Sequence, residues 1–368
     1  MSLTTTLLDR TLPGAQRLAK RLPEATPGRA RLRDTLQELA ALRVKGASWR
    51  EYVERLEPAL LRFDAARPFT EKARLFREAV TLVEFEPHAY CNRQCPFCPN
   101  VDHDRLTVKT PFDFATFERA LDDLAAAGYE NRVRFARYSE PLACPDIVRF
   151  VSETRKRLPK AVIDIVSNGD YLNAKLLAEL SEAGLNILHI SIYPKAYAWN
   201  LDEAQSQLDK LLKRTKLMAE PRGSNATRMD WHLPHETVHI NAEAVDFDTV
   251  GFDRAGTVDH LVDKAFQRQS PCPMVFQNVT VDFDGTVMPC CNLRSDIEEH
   301  RPYVVGNLSH MSIIDAFLSE PMTAWRQSLV GVGPKRKPCD SCKQKCLMSG
   351  LANAVLGRQI AAKLNSVP

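Results

Sequence analysis

The sequence predicts an α/β chain with a parallel sheet, a helical segment before it and a small cysteine-rich domain after it. Three observations lead there. Short β-rich runs alternate with helical stretches from residue 81 to residue 242. Residues 1–79 show no strand alternation. Nine of the ten cysteines fall in two groups, one just after the first β-run and one beyond residue 271.

The elements follow in chain order. Residues 32–44 and 49–63 carry apolar side chains at helical spacing, and Pro23, Pro27 and Pro68 punctuate them, so residues 1–79 read as a helical extension. The first fifty residues hold ten Lys/Arg against four Asp/Glu. Such an excess usually marks a solvated helical surface rather than an anion site. Strands are expected at 81–86, 132–137, 162–167, 186–192 and 237–242, and helices at 114–124, 147–157, 174–183 and 202–218. Strands alternating with helices of this length imply right-handed βαβ units.

Beyond Cys272 the alternation stops. Residues 278–282 and 286–288 flank Asp284-Gly285, a hairpin turn signal. A helix is expected over 312–329, interrupted by Pro321, and the basic stretch 333–338 leads into the last cysteines. This tail is too small for much core of its own, so a metal centre that staples it is physically sensible. The domains expected are therefore 1–79, 80–256 and 257–368.

Composition narrows the function class. The chain of 368 residues is 44% hydrophobic with a net charge of +3, which calls for neither nucleic acid nor a membrane as partner. No apolar run approaches the ~18 residues of a membrane span, and residues 1–10 lack the basic and apolar regions of a secretory signal. A cytoplasmic location is expected, where disulfides are rare. Clustered cysteines then point to thiolate metal ligation, because several sulfurs must converge on one centre.

The first group, Cys91, Cys95 and Cys98, follows directly on the first strand, with Phe97 before the third cysteine. Three thiolates at this spacing can ligate three irons of a [4Fe–4S] cluster and leave the fourth open. A zinc site completed by His88 or His103 is the alternative. The run resembles the signature of the radical S-adenosylmethionine (SAM) superfamily. The resemblance implies a partial (β/α)6 barrel in which SAM chelates the open iron.

Further segments resemble family motifs at strand ends. Tyr138-Ser139-Glu140-Pro141 is similar to the Gly-Gly-Glu motif that binds the SAM amino group, with both glycines replaced. Ser167-Asn168-Gly169 resembles a Thr-Asn-Gly near the SAM ribose, Ser191 ends the fourth strand at another ribose-facing position, and Asp253-Arg254-Ala255-Gly256 resembles the turn closing the SAM pocket. The cofactor-binding residues implied are Phe97, Ser139, Glu140, Asn168, Ser191 and Arg254.

The second group resembles the SPASM and shorter twitch extensions of radical SAM enzymes. It implies one auxiliary [4Fe–4S] cluster held by Cys272, Cys290, Cys339 and Cys342, with Cys291 and Cys346 as possible substitutes and a four-thiolate zinc as the alternative. Cys144 stands alone after the Glu140 motif. It is either a hydrogen-atom donor to a substrate radical, as in epimerases of the superfamily, or a small buried apolar residue.

The resemblance implies reductive cleavage of SAM to a 5′-deoxyadenosyl radical, hydrogen abstraction from substrate, and oxidation of a small polar metabolite in a biosynthetic pathway. Crosslinking or epimerisation of a ribosomally made peptide is the second reading. A redox-neutral sugar epimerase or a non-catalytic Fe–S electron carrier is the third. A reducing partner such as flavodoxin or ferredoxin is expected.

Overall fold

The computed structural model describes residues 12–365 apart from residues 20, 24, 25, 44–47 and 196. The helical character expected of residues 1–11 lies outside the described residues. Ten strands among the described residues share one sheet: β1 (Leu82–Phe85), β2 (Arg132–Phe135), β3 (Val162–Ser167), β4 (Ile187–Ser191), β5 (Glu220–Asn225), β6 (Arg228–Leu233), β7 (His239–Val245), β8 (Asn278–Val281), β9 (Thr286–Met288) and β10 (Gly306–Asn307). Their order is β10-β9-β8-β1-β2-β3-β4-β7-β6-β5. The central run from β8 to β7 is parallel. Antiparallel hairpins flank it on both sides.

The two faces of the sheet differ in chemistry. On one, Val279, Val83, Val133 and Ile163 sit in register and are buried to 1% exposure or less. Helices Phe114–Ala126 and Ile147–Arg157 cover this face, and Phe85, Phe117, Phe135 and Phe150 interlock there, Phe117 and Phe135 tilted and the other pairs edge to face, with centroids 4.6–6.0 Å apart. Edge-to-face rings add about 0.5–1.5 kcal/mol per pair to their area burial. Asp113 and Asn173 cap the helices that follow them, each accepting from backbone N–H groups of the first turn. On the other face the matching row is Thr280, Glu84, Arg134 and Asp164. A parallel strand packed on both faces would be apolar throughout. The polar row therefore lines the concave side of a partial barrel, where the chemistry sits.

Several elements depart from the sequence expectation. The helix expected over 202–218 ends at Thr215, where Lys216 turns left-handed at φ 61°. The next residues form the β5–β6 hairpin, which carries no alternation because every residue of the edge strand β5 is exposed. The segment 49–63 is a helix only over Ser48–Arg55, followed by a 3₁₀ turn at Pro58–Leu61, since Pro58 cannot continue the hydrogen-bond ladder. The break at Pro321 appears as two helices, Ile313–Phe317 and Glu320–Leu329, with Ser319 capping the second.

An unexpected C-terminal helix, Gly350–Asn365, packs on the N-terminal helices Arg29–Arg43 and Ser48–Arg55. The Glu38 carboxylate accepts from Met348 N and Ser349 N at 2.6 and 2.8 Å, which places a negative charge at that helix's N-terminus. The cysteine-rich segment is also tied in, because its β8 pairs in parallel with β1.

Candidate active site

At the C-terminal ends of the parallel strands lies a cavity of about 250 Å³. Cys91, Cys95, Cys98 and Phe97 reach it from the connection after β1, Ser139 and Glu140 from the end of β2, and Asn168 from the end of β3. Ser191 of β4 and Arg254 complete the set, so all nine residues expected at the first cluster and at SAM line this one cavity.

The three thiols line the same cavity. Burial pushes Cys91 and Cys95 up to about 12, and burial also raises Cys98. Burial followed by repulsion from Cys98 and Cys91 explains the shift of Cys95. All ten cysteines are free. Three free thiols on the wall of one cavity suit a cationic centre that takes them as thiolates. Among the described residues no group of three or more His, Cys, Asp or Glu converges closely enough for a single metal ion. Tetrahedral zinc would need its sulfurs ~2.3 Å from one centre, whereas a four-iron cluster spreads its thiolates over a larger frame. His88 is engaged elsewhere, its Nε2 lying 2.8 Å from the Glu140 carbonyl.

Glu140 is held by the Ser167 hydroxyl at 2.6 Å and by the N–H groups of Asn168 and Leu142 at 2.8 and 3.0 Å. Burial outweighs these bonds and pushes its carboxyl up to about 7. An ammonium group entering the cavity would restore the charged form. Among the described residues Ser139 Oγ is buried with no hydrogen-bond partner, on the same cavity as the thiols. Arg137 takes the left-handed turn at φ 87°, while the Tyr138 ring swings aside to donate to the Cys291 carbonyl at 3.0 Å. Gly169 does need to be glycine: at φ 74° a Cβ would meet Ile190 Cγ2 at 2.8 Å.

Residues the sequence reading missed tie these loops together. Arg93, inside the cysteine motif, makes a two-pronged pair with Asp170 (2.7 Å for each contact), and Asn92 donates to the same carboxylate at 2.7 Å. Burial opposes ionisation of Asp170, but Arg93 and Asn92 hold its carboxyl below the usual range. The signal was an Arg within the motif and an Asp directly after Asn168-Gly169. Phe247 stacks on Phe97 at 4.2 Å, with Tyr193 against both, forming an aromatic wall of the cavity.

A second, smaller cavity is bordered by Cys272, Cys290, Cys339 and Cys342, the four residues expected to act together. Apolar Met274, Val275, Trp325 and Leu329 close it. Burial raises Cys290, Cys339 and Cys342, the last to about 11. Arg268, 1% exposed, donates to the carbonyls of Ser270, Pro271, Cys342 and Gln344 and so organises the chain around these thiols. Cys346 turns away, its sulfur 3.3 Å from Ser270 Oγ. Cys291 faces the first cavity instead. Cys144 enters neither. It packs in the apolar core with Sγ 4.0 Å from the Pro87 carbonyl, because the short turn Pro141–Ala143 carries it behind the strand ends.

Comparison with known proteins matches these two regions separately. Residues 85–193 match the radical SAM superfamily, and residues 272–346 match an iron–sulfur cluster-binding domain of the SPASM type. An S-adenosyl-L-methionine-dependent 2-deoxy-scyllo-inosamine dehydrogenase from Niallia circulans is 24% identical over 263 residues, covering 71% of this chain and 92% of that protein. Among solved structures, BtrN in complex with AdoMet and 2-DOIA is 23% identical with a TM-score of 0.49, covering 68% of this chain and 87% of that one. The anSMEcpe structure with bound AdoMet is 12% identical with a TM-score of 0.42, covering 78% and 98%. With three thiols at an open cavity and a matching domain on either side of residue 200, the chain belongs to the radical SAM superfamily, whose cofactors are SAM and iron–sulfur clusters.

Proposed function

We propose that this enzyme is a radical SAM dehydrogenase that oxidises a hydroxyl-bearing carbon of a small polar metabolite in a biosynthetic pathway. In this reading Cys91, Cys95 and Cys98 hold a [4Fe–4S] cluster with one open iron, and Cys272, Cys290, Cys339 and Cys342 hold an auxiliary [4Fe–4S] cluster. When bound, these groups and SAM supply a 5′-deoxyadenosyl radical that takes a hydrogen atom, and an acceptor for the electron left on the substrate. Glu140, fixed by Ser167 and two backbone donors, accepts from the SAM ammonium. Ser139 Oγ, Asn168, Ser191 and Arg254 serve its other polar groups, and the wall formed by Phe97, Tyr193 and Phe247 keeps water from the radical. A reduced flavodoxin or ferredoxin delivers the electron in the cytoplasm.

One observation carries the oxidative assignment. Cys290 and Cys291 are consecutive, yet Cys290 borders the auxiliary cavity and Cys291 the SAM cavity. Adjacent residues of one backbone segment thus border both sites, a covalent link along which an electron can pass. The dehydrogenase relative agrees with it. Hydrogen return from Cys144, which a redox-neutral epimerase would use, is disfavoured by the core position of that residue. The test is anaerobic turnover of the reconstituted enzyme with SAM, dithionite and 2-deoxy-scyllo-inosamine. A ketone formed together with 5′-deoxyadenosine is expected. An isomer of unchanged oxidation state would overturn the reading.

A further inference from the structure

Asn292 directly follows the Cys290-Cys291 pair that borders the two cavities. It is 2% exposed, and both ends of its amide are engaged. Nδ2 donates to Gln344 Oε1 at 2.6 Å and to Cys342 Sγ at 3.8 Å. Oδ1 accepts from Nη1 of Arg254 at 3.5 Å. Three contacts on one buried amide hold its donor against the sulfur.

The other polar neighbours of that sulfur are committed elsewhere. Arg268 spends its guanidinium on backbone carbonyls, including those of Cys342 and Gln344 at 3.0 and 2.7 Å. Gln344 turns Nε2 towards Cys291, 3.6 Å from that sulfur. Among the described residues Asn292 is the side chain whose N–H reaches one of the four auxiliary thiols. Its partner Arg254 is fixed too. Arg254, Ala255 and Gly256 all take left-handed φ, at 48°, 60° and 85°. Asp253, just before them, accepts from the hydroxyl of Ser341, which lies between Cys339 and Cys342. Because Arg254 lines the SAM cavity, Asn292 stands between a cation of one site and a sulfur of the other.

An N–H aimed at a cluster thiolate draws negative charge from the sulfur. That favours the reduced centre, which carries one more electron, and raises the reduction potential. Arg254 on the amide oxygen polarises the amide and strengthens the donor. The rest of the shell is mostly apolar and acts the other way, since burial disfavours the more negative state. We propose that Asn292 is the positioning residue that sets the potential of the auxiliary centre, raising it far enough to take an electron from the substrate. This rests on the auxiliary [4Fe–4S] reading above and names the group that tunes it.

Redox titration of the reconstituted full-length protein, followed by electron paramagnetic resonance, tests this without turnover. The auxiliary signal is the one lost in Cys339→Ala with Cys342→Ala, and the first centre serves as the reference within each sample. Asn292→Leu keeps the volume and removes the donor. At a fixed applied potential it should lower the ratio of reduced to oxidised auxiliary centre about tenfold, a downward shift of about 59 mV for one electron. The first centre should not move. Asn292→Asp puts an acceptor beside the sulfur, should shift the potential the same way, and decides the matter if the leucine variant does not fold. Iron content and circular dichroism establish that each variant is loaded and folded. An auxiliary potential unmoved in such a variant, or both centres shifted alike, overturns the proposal. A wild type without a second cluster signal sinks the auxiliary reading along with it. A downward shift confined to the auxiliary centre upholds the assignment even where turnover yields no ketone, a result that would count against the dehydrogenase reading alone.

Discussion

Around Cys91, Cys95 and Cys98 the surroundings are charged and aromatic, and three thiols border about 250 Å³ of space. Around Cys272, Cys290, Cys339 and Cys342 the surroundings are mostly apolar, with Arg268, Asn292 and Gln344 the polar neighbours, and four thiols leave almost no space beside them. Three thiols beside open space suit a reactive centre that takes SAM. Four thiols in a tight, mostly apolar shell suit a closed centre that only passes electrons. Chemistry thus follows from what is left open around the sulfurs more than from the sulfurs themselves.

The largest expected effect breaks this contrast directly. Cys95→Ala should reduce formation of 5′-deoxyadenosine to background, because it removes one of only three thiols proposed to hold that cluster. Cys339→Ala with Cys342→Ala should leave that formation intact while the oxidised product disappears and iron falls from about eight per chain to about four. Chromatography of deoxyadenosine and product, beside iron analysis, reads both. Full product from the folded double variant would end the idea of an electron-accepting auxiliary site.

A smaller effect sharpens the SAM side. Glu140 has a folded-state carboxyl near 7, above its unfolded value near 4.5. Between those values the SAM-free folded protein binds the extra proton, so its stability falls as pH rises from about 4.5 to about 7. Binding the SAM ammonium needs the ionised form. Calorimetric SAM affinity should therefore drop about tenfold for each pH unit below about 7 and level off above it. Glu140→Gln should weaken SAM binding and flatten this dependence. A profile unchanged in that variant would assign the titration to another group.

The smallest effect concerns the loop that links the cluster motif to SAM. Gly169→Ala puts a Cβ 2.8 Å from Ile190 Cγ2 at a left-handed φ, which should cost about 1–3 kcal/mol. A fall in Tm of a few degrees with raised KM for SAM is expected. Neither change would mean that the loop relaxes freely.

Much of the site was legible locally. The Cys91-to-Cys98 spacing, Glu140 at a strand end and Asn168-Gly169 are short-range patterns, and residues 162–167 and 147–157 were bounded as found. Glu84 was visible as well, an acid inside Leu82-Val83-Glu84-Phe85, but a local pattern does not say which face of a strand meets a cavity. The β5–β6 hairpin escaped because an exposed edge strand carries no hydrophobic period.

The amino-acid sequence by itself determined the βα alternation, the two cysteine groups and the three-thiol character of the first. These depend on neighbours a few residues apart, where periodicity and ligand spacing act. Only the tertiary structure decided that β8 joins β1, that Cys290 and Cys291 look into different cavities, and that Glu84 faces the first of them. Each depends on groups brought together across up to two hundred residues of chain, where pairing is selected by packing and charge balance in three dimensions and leaves no local trace.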